Sequence, residues 1–205
     1  MQNIRNIIFD LGGVIMELHF DRTFQAFARL TGQDFREAYN QQKQQEVFDA
    51  LETGRISPAE FRQRLQQMFG FTANDEQIDE AWNAMLGHFP AERVELVKQL
   101  GQQKRVFLMS NTNAIHKAKA DEIFGAAFPG QKMENLFEVA YFSHTMHDRK
   151  PHTSVFTRIV EENGLEASET LFIDDTEGHV LGARQAGLQA LHLKPPVQIT
   201  ELEWA

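Results

Sequence analysis

Four short polar segments in this chain carry side chains that could act together on one substrate. Each has an ordinary explanation when taken alone, because aspartate and serine favour turns and helix caps, and lysines are mostly exposed. Together they supply a lone carboxylate, a hydroxyl, an ammonium group and a pair of acids. The segments are Asp10 with Gly12 and Gly13, the Ser-Asn-Thr-Asn run at 110–113, the Arg-Lys-Pro run at 149–151, and Asp174 with Asp175.

This set of side chains fits the attack of a carboxylate on phosphorus. Asp10 is the candidate nucleophile, because carboxylates that form aspartyl phosphates are an established catalytic strategy. Lys150 would neutralise charge on the nucleophile and on the phosphoryl group in transfer. The catalytic candidates are therefore Asp10, Lys150 and Ser110. The phosphoryl oxygens would be bound by groups of Gly12, Gly13, Ser110, Asn111 and Lys150.

The adjacent acids Asp174 and Asp175 bring two like charges together, and a bound cation would relieve their repulsion. Asp10 and Asp175, with help from Asp174, would hold a hard cation through oxygen atoms. Magnesium prefers oxygen ligands and commonly bridges a protein carboxylate and a substrate phosphate. We therefore expect Mg²⁺ as the cofactor and a small phosphorylated molecule as the substrate.

Regular elements must bring these segments to one place. Apolar runs typical of buried strands precede or approach them, at 4–10, 106–109, 139–142, 171–173 and 190–193. Helical patterns lie between the strands, at 93–100, 114–124, 154–163 and 180–186. Such alternation predicts an α/β fold with a parallel sheet covered by helices on both faces. Ligands of these sheets bind beyond the carboxyl ends of the strands, which is where the polar segments fall.

A long stretch after the first strand, residues 16–89, has helical periodicity and no convincing strand. Within it, Ser57, Pro58 and Glu60 predict a capping box with serine at the N-cap, proline at N1 and glutamate at N3. We therefore predict a core formed by residues 1–15 and 90–205. Residues 16–89 would form a small all-helical insert after the first strand.

The bulk composition excludes several classes of function. A formal net charge of -9 is unfavourable for binding nucleic acid or an anionic membrane surface. The chain has no cysteine, which excludes disulfides and thiolate metal sites. No apolar run approaches the roughly 18 residues of a membrane span, and the N-terminus lacks the pattern of a signal peptide. We expect a cytoplasmic protein, either monomer or homodimer.

The four segments resemble the motifs of the haloacid dehalogenase-like hydrolase superfamily in order and spacing. They read Phe-Asp-Leu-Gly-Gly-Val at 9–14, Met-Ser-Asn-Thr-Asn at 109–113, Arg-Lys-Pro at 149–151 and Phe-Ile-Asp-Asp at 172–175. The resemblance spans nearly the whole chain. It is closest to the sugar-phosphate phosphatase branch, which has a helical cap and whose first motif reads Asp-Leu-Gly-Asn-Val.

This resemblance implies a Rossmann-like core with a helical cap that closes over the site. It implies Asp10 as the nucleophile, Ser110 as a phosphate ligand and Lys150 as a stabilising charge. Magnesium would be held by Asp175 and by the backbone carbonyl of Gly12.

The chain departs from the superfamily pattern beside the nucleophile. Most phosphatases of the superfamily have a second Asp two residues later, which protonates the leaving group, and here that position is Gly12. The branch that this chain resembles also has glycine there. Proton transfer of this kind is worth roughly 10²- to 10⁴-fold in rate, so the loss bears on speed and on leaving-group range. Glu17 and His19 follow soon after and are candidate replacements, or ordinary linker residues.

Several histidines are open to more than one interpretation. His179 stands where the family usually has Asp or Asn, and it could bond a carboxylate, act as an acid or base, or be structural at a helix start. His144, His147 and His152 surround the third motif at a spacing that matches no common zinc pattern. We interpret these three as solvated loop residues.

The leading hypothesis is a magnesium-dependent phosphatase of a small metabolite such as a sugar phosphate. One alternative, suggested by Gly12, is a catalytically weakened phosphate-binding protein of the same fold. A dehalogenase, in which Asp10 would attack carbon, is less favoured because such enzymes need no magnesium and would leave the acid pair without a role. Cap side chains that could shape the pocket are His19, Phe20, Arg22, Phe48 and Trp82.

Overall fold

A single parallel sheet of five strands forms the centre of the protein. The computed structural model describes residues 3–33, 35–36 and 42–204, with side chains described except at 42–45. The strands are β1 (Asn6–Phe9), β2 (Arg105–Ser110), β3 (Val139–Phe142), β4 (Thr170–Asp174) and β5 (Gln189–His192). Their order is β3-β2-β1-β4-β5, and every neighbouring pair is parallel. The predicted Rossmann-like α/β fold is confirmed.

Nine helices surround the sheet or stand above it in the described part of the chain. In chain order they are α1 (Phe20–Thr31), α2 (Gln42–Glu52), α3 (Pro58–Phe69), α4 (Asp75–Asn83), α5 (Ala91–Gly101), α6 (Ala114–Ala127), α7 (Ser143–Met146), α8 (Thr153–Glu162) and α9 (Glu177–Gln185). None of these helices has the length and apolar character needed to cross a membrane.

The central strands are buried on both faces, as a parallel sheet between helical layers requires. Ile7 and Phe9 of β1 pack on one side with α5 and α6, through residues such as Val97 and Phe124. Ile8 packs on the other side in a cluster that includes side chains from α8 and α9. The near-continuous apolar strands of the sequence therefore reflect burial from two directions.

The predicted bounds of some elements need correction. Helix α9 begins at Glu177 and not at residue 180, so Glu177, Gly178 and His179 form its first turn. Helix α5, predicted over 93–100, runs from Ala91 to Gly101, and Gln102 forms its C-cap. The segment around the third motif is not simply a loop, because it contains α7 with Ser143 fully buried.

Helices α1 to α4 form a separate layer with an aromatic core of its own. Phe27, Phe48, Phe61 and Trp82 are buried together in this cap. The predicted capping box is confirmed at the start of α3, where the Ser57 side chain and the Glu60 side chain each accept from the other residue's backbone N–H. This reciprocal pairing satisfies two otherwise free donors at the helix start.

Two linkers connect this cap to the sheet domain. They run antiparallel to each other, with an isolated bridge between Leu18 and Leu86. Glu17 N donates to the His88 carbonyl at 3.0 Å, and the Gly87 amide donates to the Glu17 carbonyl at 2.9 Å. The short ladder places the ends of α1 and α4 directly above the carboxyl edge of the sheet.

Candidate active site

The sheet order brings the predicted segments to one edge. Strands β2, β1 and β4 are adjacent, so Ser110, Asp10 and Asp174 at their carboxyl ends are neighbours. The Asp10 amide donates to the Ile173 carbonyl at 2.9 Å, which extends the β1–β4 pairing to the nucleophile position. The topology therefore assembles side chains that are more than 60 residues apart in the chain.

Lys150 is the centre of this assembly, although it was predicted only from its motif. Its side chain is fully buried, and Nζ donates to Asp10 Oδ1 at 2.7 Å and to Asp174 Oδ2 at 2.7 Å. A third bond goes to the Met109 carbonyl at 2.9 Å. Since an ammonium group has three protons, Lys150 is fully paired. The pKa of its ammonium is raised: burial opposes the charge, but Asp10 and Asp174 outweigh it.

Three carboxylates crowd around this one ammonium. Oxygen atoms of Asp10, Asp174 and Asp175 all lie within 4.8 Å of one another. Burial raises the pKa of Asp10 to about 7, with Lys150 opposing the rise and Asp174 adding to it. Burial and the charge of Asp174 also raise the pKa of Asp175. This excess of negative charge on hard oxygen atoms fits a divalent cation.

Asp174 behaves differently from the other two acids. Burial opposes its charge, but Lys150 and His179 hold the pKa of Asp174 below its usual range. His179 Nδ1 lies 3.1 and 3.0 Å from the two oxygens of Asp174, and the Thr176 amide donates to Oδ1 at 2.8 Å. The sequence left three roles open for His179. In the structure its ring contacts a carboxylate, that of Asp174.

Other side chains approach the backbone closely at Gly12 and Gly13, which leaves no room for a side chain at either position. Gly13 has a φ of +75°, and a side chain there would overlap the carboxylate of Asp175. A Cβ at Gly12 would lie 2.5 Å from Leu18 Cδ1. Leu18, in the first linker to the cap, thus fills the space in which a side chain at position 12 would project.

The residues of the second segment, 110–113, have different roles in the site. Ser110 is buried and lines the cavity above Asp10. The Asn111 side chain donates to the Lys150 carbonyl at 2.9 Å and accepts from the Lys150 amide at 3.0 Å. Asn111 was predicted as a phosphate ligand, but its side chain is bonded to the backbone of the loop that carries Lys150.

The next two residues anchor the same segment. The Thr112 amide donates to Ser143 Oγ at 2.9 Å, and this hydroxyl donates to the Thr112 carbonyl at 2.8 Å. Asn113 is the N-cap of α6, where its side chain accepts from the Ile115 and His116 amides. Buried pairing of this kind fixes the backbone around Ser110.

The histidines near the third motif do not gather around a metal. His147 has a φ of 57°, and its Nδ1 lies 3.1 Å from the carbonyl of Thr53 in the cap. His152 is paired with Asp148 at 2.7 Å. Over the described residues, the acids Asp10, Asp174 and Asp175 make the one group with the spacing of a metal site.

A cavity of about 190 Å³ lies between this sheet edge and the cap. Its floor includes Asp10, Ser110 and Lys150. Of the cap side chains predicted to shape it, Phe20 and Trp82 line it, whereas His19, Arg22 and Phe48 are not among its lining residues. Most of the remaining surface is apolar, from Leu11, Met16, Leu18, Met85, Leu86 and Ala120.

Sequence reasoning missed four polar residues of this cavity, Glu52, His116, Lys117 and Thr176. The His116 ring stacks on Trp82 with centroids 4.7 Å apart, and its Nε2 lies 3.1 Å from the Trp82 carbonyl. Burial lowers the pKa of His116 to about 4, so the ring is neutral. Its place three residues after the Asn113 cap was a usable signal. Glu52 has no local signal, because only the fold brings the end of α2 over the site.

Residues 4–187 match the sequence profile of the haloacid dehalogenase-like hydrolase family. The chain belongs to this family. The resemblance drawn from the four motifs is thereby confirmed, and with it the assignment of a hydrolase. The match spans β1, the whole cap and the sheet as far as the end of α9.

Named relatives are similar over nearly their whole length. A D-ribitol-5-phosphate phosphatase of Bacteroides thetaiotaomicron is 28% identical over 187 residues, which are 91% of this chain and 90% of the relative. A variant of a family enzyme from the same organism, solved with magnesium and inorganic phosphate, has a TM-score of 0.88 at 32% identity and covers 98% of this chain and 97% of its own. A hydrolase of this family from Porphyromonas gingivalis has a TM-score of 0.84 at 30% identity, over 98% and 94%.

Proposed function

We propose that this protein is a magnesium-dependent phosphatase that transfers the phosphoryl group of a small metabolite to Asp10 and then to water. The observation that carries the proposal is the Lys150 ammonium, fully buried and 2.7 Å from both Asp10 and Asp174. A buried cation that neutralises a carboxylate at the floor of a cavity is suited to an anionic substrate. The hydrolase family and its phosphatase relative support the same reaction.

Magnesium would be held by Asp10 and Asp175 together with the backbone carbonyl of Gly12. Asp174 lies within reach of the same ion, although Lys150, Thr176 and His179 already bond its oxygens. When bound, the ion supplies positive charge that offsets the charge of the phosphate. The magnesium and phosphate bound by the solved relative support this assignment.

The chain's own residues would act in a fixed order. Lys150 holds Asp10 Oδ1 and so orients the carboxylate that bonds to phosphorus. The Ser110 hydroxyl and the Gly12 amide would receive the phosphoryl oxygens, while Lys150 offsets their charge. The Gly13 amide, predicted as a phosphate ligand, donates instead to the Met16 carbonyl at 2.8 Å. Water then attacks the phosphorus of the aspartyl phosphate, which frees phosphate and restores Asp10.

The substrate we propose is a compact sugar or polyol phosphate. A cavity of about 190 Å³ has room for only a small organic group, since about 150 Å³ is enough to hold benzene. The relative that acts on D-ribitol 5-phosphate supports an open-chain polyol of five carbons as the first candidate. Cap side chains close the cavity over such a group.

The test is hydrolysis of p-nitrophenyl phosphate and of D-ribitol 5-phosphate, each with and without magnesium, beside Asp10→Asn. We expect magnesium-dependent turnover that the variant loses. Normal turnover by Asp10→Asn would exclude the proposed nucleophile. Tight phosphate binding without turnover would instead favour the weakened binding protein that Gly12 suggests. Release of halide from a 2-haloacid without magnesium would favour the dehalogenase.

A further inference from the structure

The alcohol that leaves phosphorus needs a proton, and the position nearest the nucleophile cannot provide one. Gly12 has no side chain, and Leu18 occupies the space where one would project. An alkoxide is a poor leaving group, so a general acid contributes roughly 10²- to 10⁴-fold for an alcohol. Another titratable group of the cavity must therefore serve if the enzyme acts on sugar or polyol phosphates.

The titratable groups on the core side of the cavity are already committed. All three protons of Lys150 are used in hydrogen bonds. His179 is bonded through Nδ1 to Asp174, on the side of the carboxylate group that would hold the metal. Lys117 is paired with Asp121 and Glu134.

The histidine of the cavity is committed as well. His116 uses one ring nitrogen on the Trp82 carbonyl and the other on the Asn113 side chain. The two candidates from the linker, Glu17 and His19, are not among the residues that line the cavity. The Glu17 carboxylate and the His19 ring lie 3.6 Å apart.

Glu52, the last residue of α2, differs from all of these. It lines the same cavity as Asp10 and Lys150, from the cap side. Its one partner among the described residues is Arg149, with Nη2 3.0 Å from Oε2, and this contact lacks hydrogen-bond alignment. The well-aligned hydrogen bond of Arg149 goes instead to Asp49, from Nη1 to Oδ1 at 2.8 Å.

The charges around Glu52 favour a carboxyl that holds and releases a proton. Burial raises the pKa of Glu52, Arg149 opposes this, and the nearby charge of Asp49 adds to the rise. The charge of Lys150 also lowers the pKa of Glu52. Arg149 is thus placed to stabilise the carboxylate once the proton has left, and it shares its charge between Glu52 and Asp49.

We propose that Glu52 is the general acid that protonates the leaving alcohol, the role for which position 12 has no side chain. The proposal rests on the proposed phosphatase function. As the bond from Asp10 to phosphorus forms, the bond from phosphorus to the alcohol oxygen breaks, and its electron pair takes the proton of Glu52. In the second step the Glu52 carboxylate takes a proton from the water that attacks the aspartyl phosphate, and the Asp10 carboxylate leaves.

The test compares two leaving groups in Glu52→Gln, which keeps the shape of the side chain but has no acidic proton. p-Nitrophenolate leaves readily as an anion, whereas ribitol needs the proton. We expect kcat/KM for D-ribitol 5-phosphate to fall at least tenfold more than kcat/KM for p-nitrophenyl phosphate. The matched control is Glu80→Gln, the same substitution at an exposed residue of α4 that does not line the cavity, and it should leave both values unchanged.

The two proposals fail in different ways. Equal losses on the two esters in Glu52→Gln, or no loss on either, would overturn the role of Glu52 and leave the phosphatase intact. If the unmodified protein hydrolyses neither ester, both proposals fall. Thermal unfolding of each variant confirms that the compared proteins are folded. A steeper dependence of kcat/KM on leaving-group pKa across aryl phosphates in Glu52→Gln would support the role independently.

Discussion

The two walls of the cavity differ in how their polar groups are satisfied. The core wall includes Asp10, Ser110, Lys150 and Asp175. The buried ammonium of Lys150 pairs there with Asp10, and it also pairs with Asp174 beside the wall. The cap wall, formed by Phe20, Glu52, Trp82 and Met85, is mostly apolar. Among its described polar atoms, Trp82 Nε1 and Glu52 Oε2 are buried without a hydrogen bond.

This difference matches two demands on the same site. The phosphoryl group is the same in every substrate, so the groups that bind it can be held rigidly before it arrives. The alcohol varies, and unpaired polar atoms on an apolar wall can be satisfied by its hydroxyl groups. Buried polar atoms without partners are uncommon and call for such an explanation. The core wall therefore sets the reaction, and the cap wall sets which ester enters.

The largest effect should follow from Lys150→Met in the core wall. The change leaves Asp10 and Asp174 buried without their cation, which costs roughly 3–5 kcal/mol of unfolding free energy. Loss of this charge at the phosphoryl group should lower kcat by roughly 10²- to 10³-fold or more. Urea unfolding and p-nitrophenyl phosphate turnover measure the two effects.

A surface lysine provides the control for that change. Lys119 is paired with Glu122 in a solvent-exposed contact, so Lys119→Met should cost less than about 0.5 kcal/mol and leave turnover unchanged. If Lys150→Met proves as stable and as active as this control, the core wall is not organised around its ammonium.

Gly12→Asp tests where the two walls meet. An added side chain must displace Leu18, and overpacking of this kind costs roughly 1–3 kcal/mol. We expect lower stability and no gain in kcat/KM for D-ribitol 5-phosphate. Adding Leu18→Ala should recover much of the stability, as a double-mutant cycle would show. A faster single variant would mean that the site lacks any other acid, which contradicts the role of Glu52.

His116 of α6 contacts Trp82 of the cap wall, and its pKa predicts how stability depends on pH. Its pKa is lowered from 6.5 to about 4 in the folded protein, so between these values the unfolded chain binds a proton that the folded chain does not. The free energy of unfolding should therefore fall as pH drops through this window. This residue should account for about 2 kcal/mol, which is less than the full pKa shift implies because its ring is partly exposed to solvent. His116→Gln should show a smaller loss between pH 6.5 and 4 in urea unfolding. Equal slopes in both proteins would exclude His116 as the cause.

The smallest effect should come from the far side of the cap. Arg62 bonds both oxygens of Asp79, at 2.8 and 2.7 Å, and so ties α3 to α4. Arg62→Lys loses this paired geometry and should cost about 0.5–1 kcal/mol. Because these residues lie outside the cavity, kcat with p-nitrophenyl phosphate should be unchanged. A change in kcat larger than twofold would show that the cap wall is coupled to its outer surface.

The sequence was informative for the core wall because its residues follow buried strands. Asp10 and Asp174 could be placed from apolar runs alone, since the carboxyl ends of parallel strands share one edge. Lys150 was predicted from its motif, but its burial and its three bonds depend on a loop whose path no local pattern gives. The sugar-phosphate substrate and the ligands of the metal remain proposals.

The cap wall was largely hidden from sequence reasoning. Helical periodicity located α1 to α4, and Phe20 and Trp82 of this wall were named among five candidates. Glu52 could not be found, because a glutamate at the end of an amphipathic helix is ordinarily solvated. Only the docking of the cap on the third motif, through Arg149 and the contact of His147 with Thr53, places it over Asp10.

The central claim is that phosphorus becomes bonded to Asp10. The most direct measurement is mass spectrometry of the protein quenched in acid during turnover of p-nitrophenyl phosphate with magnesium, followed by peptide mapping. We predict one phosphoryl group on the peptide that contains Asp10, and none in Asp10→Asn. A phosphoryl group on another residue, or turnover in Asp10→Asn at the normal rate, would contradict the account.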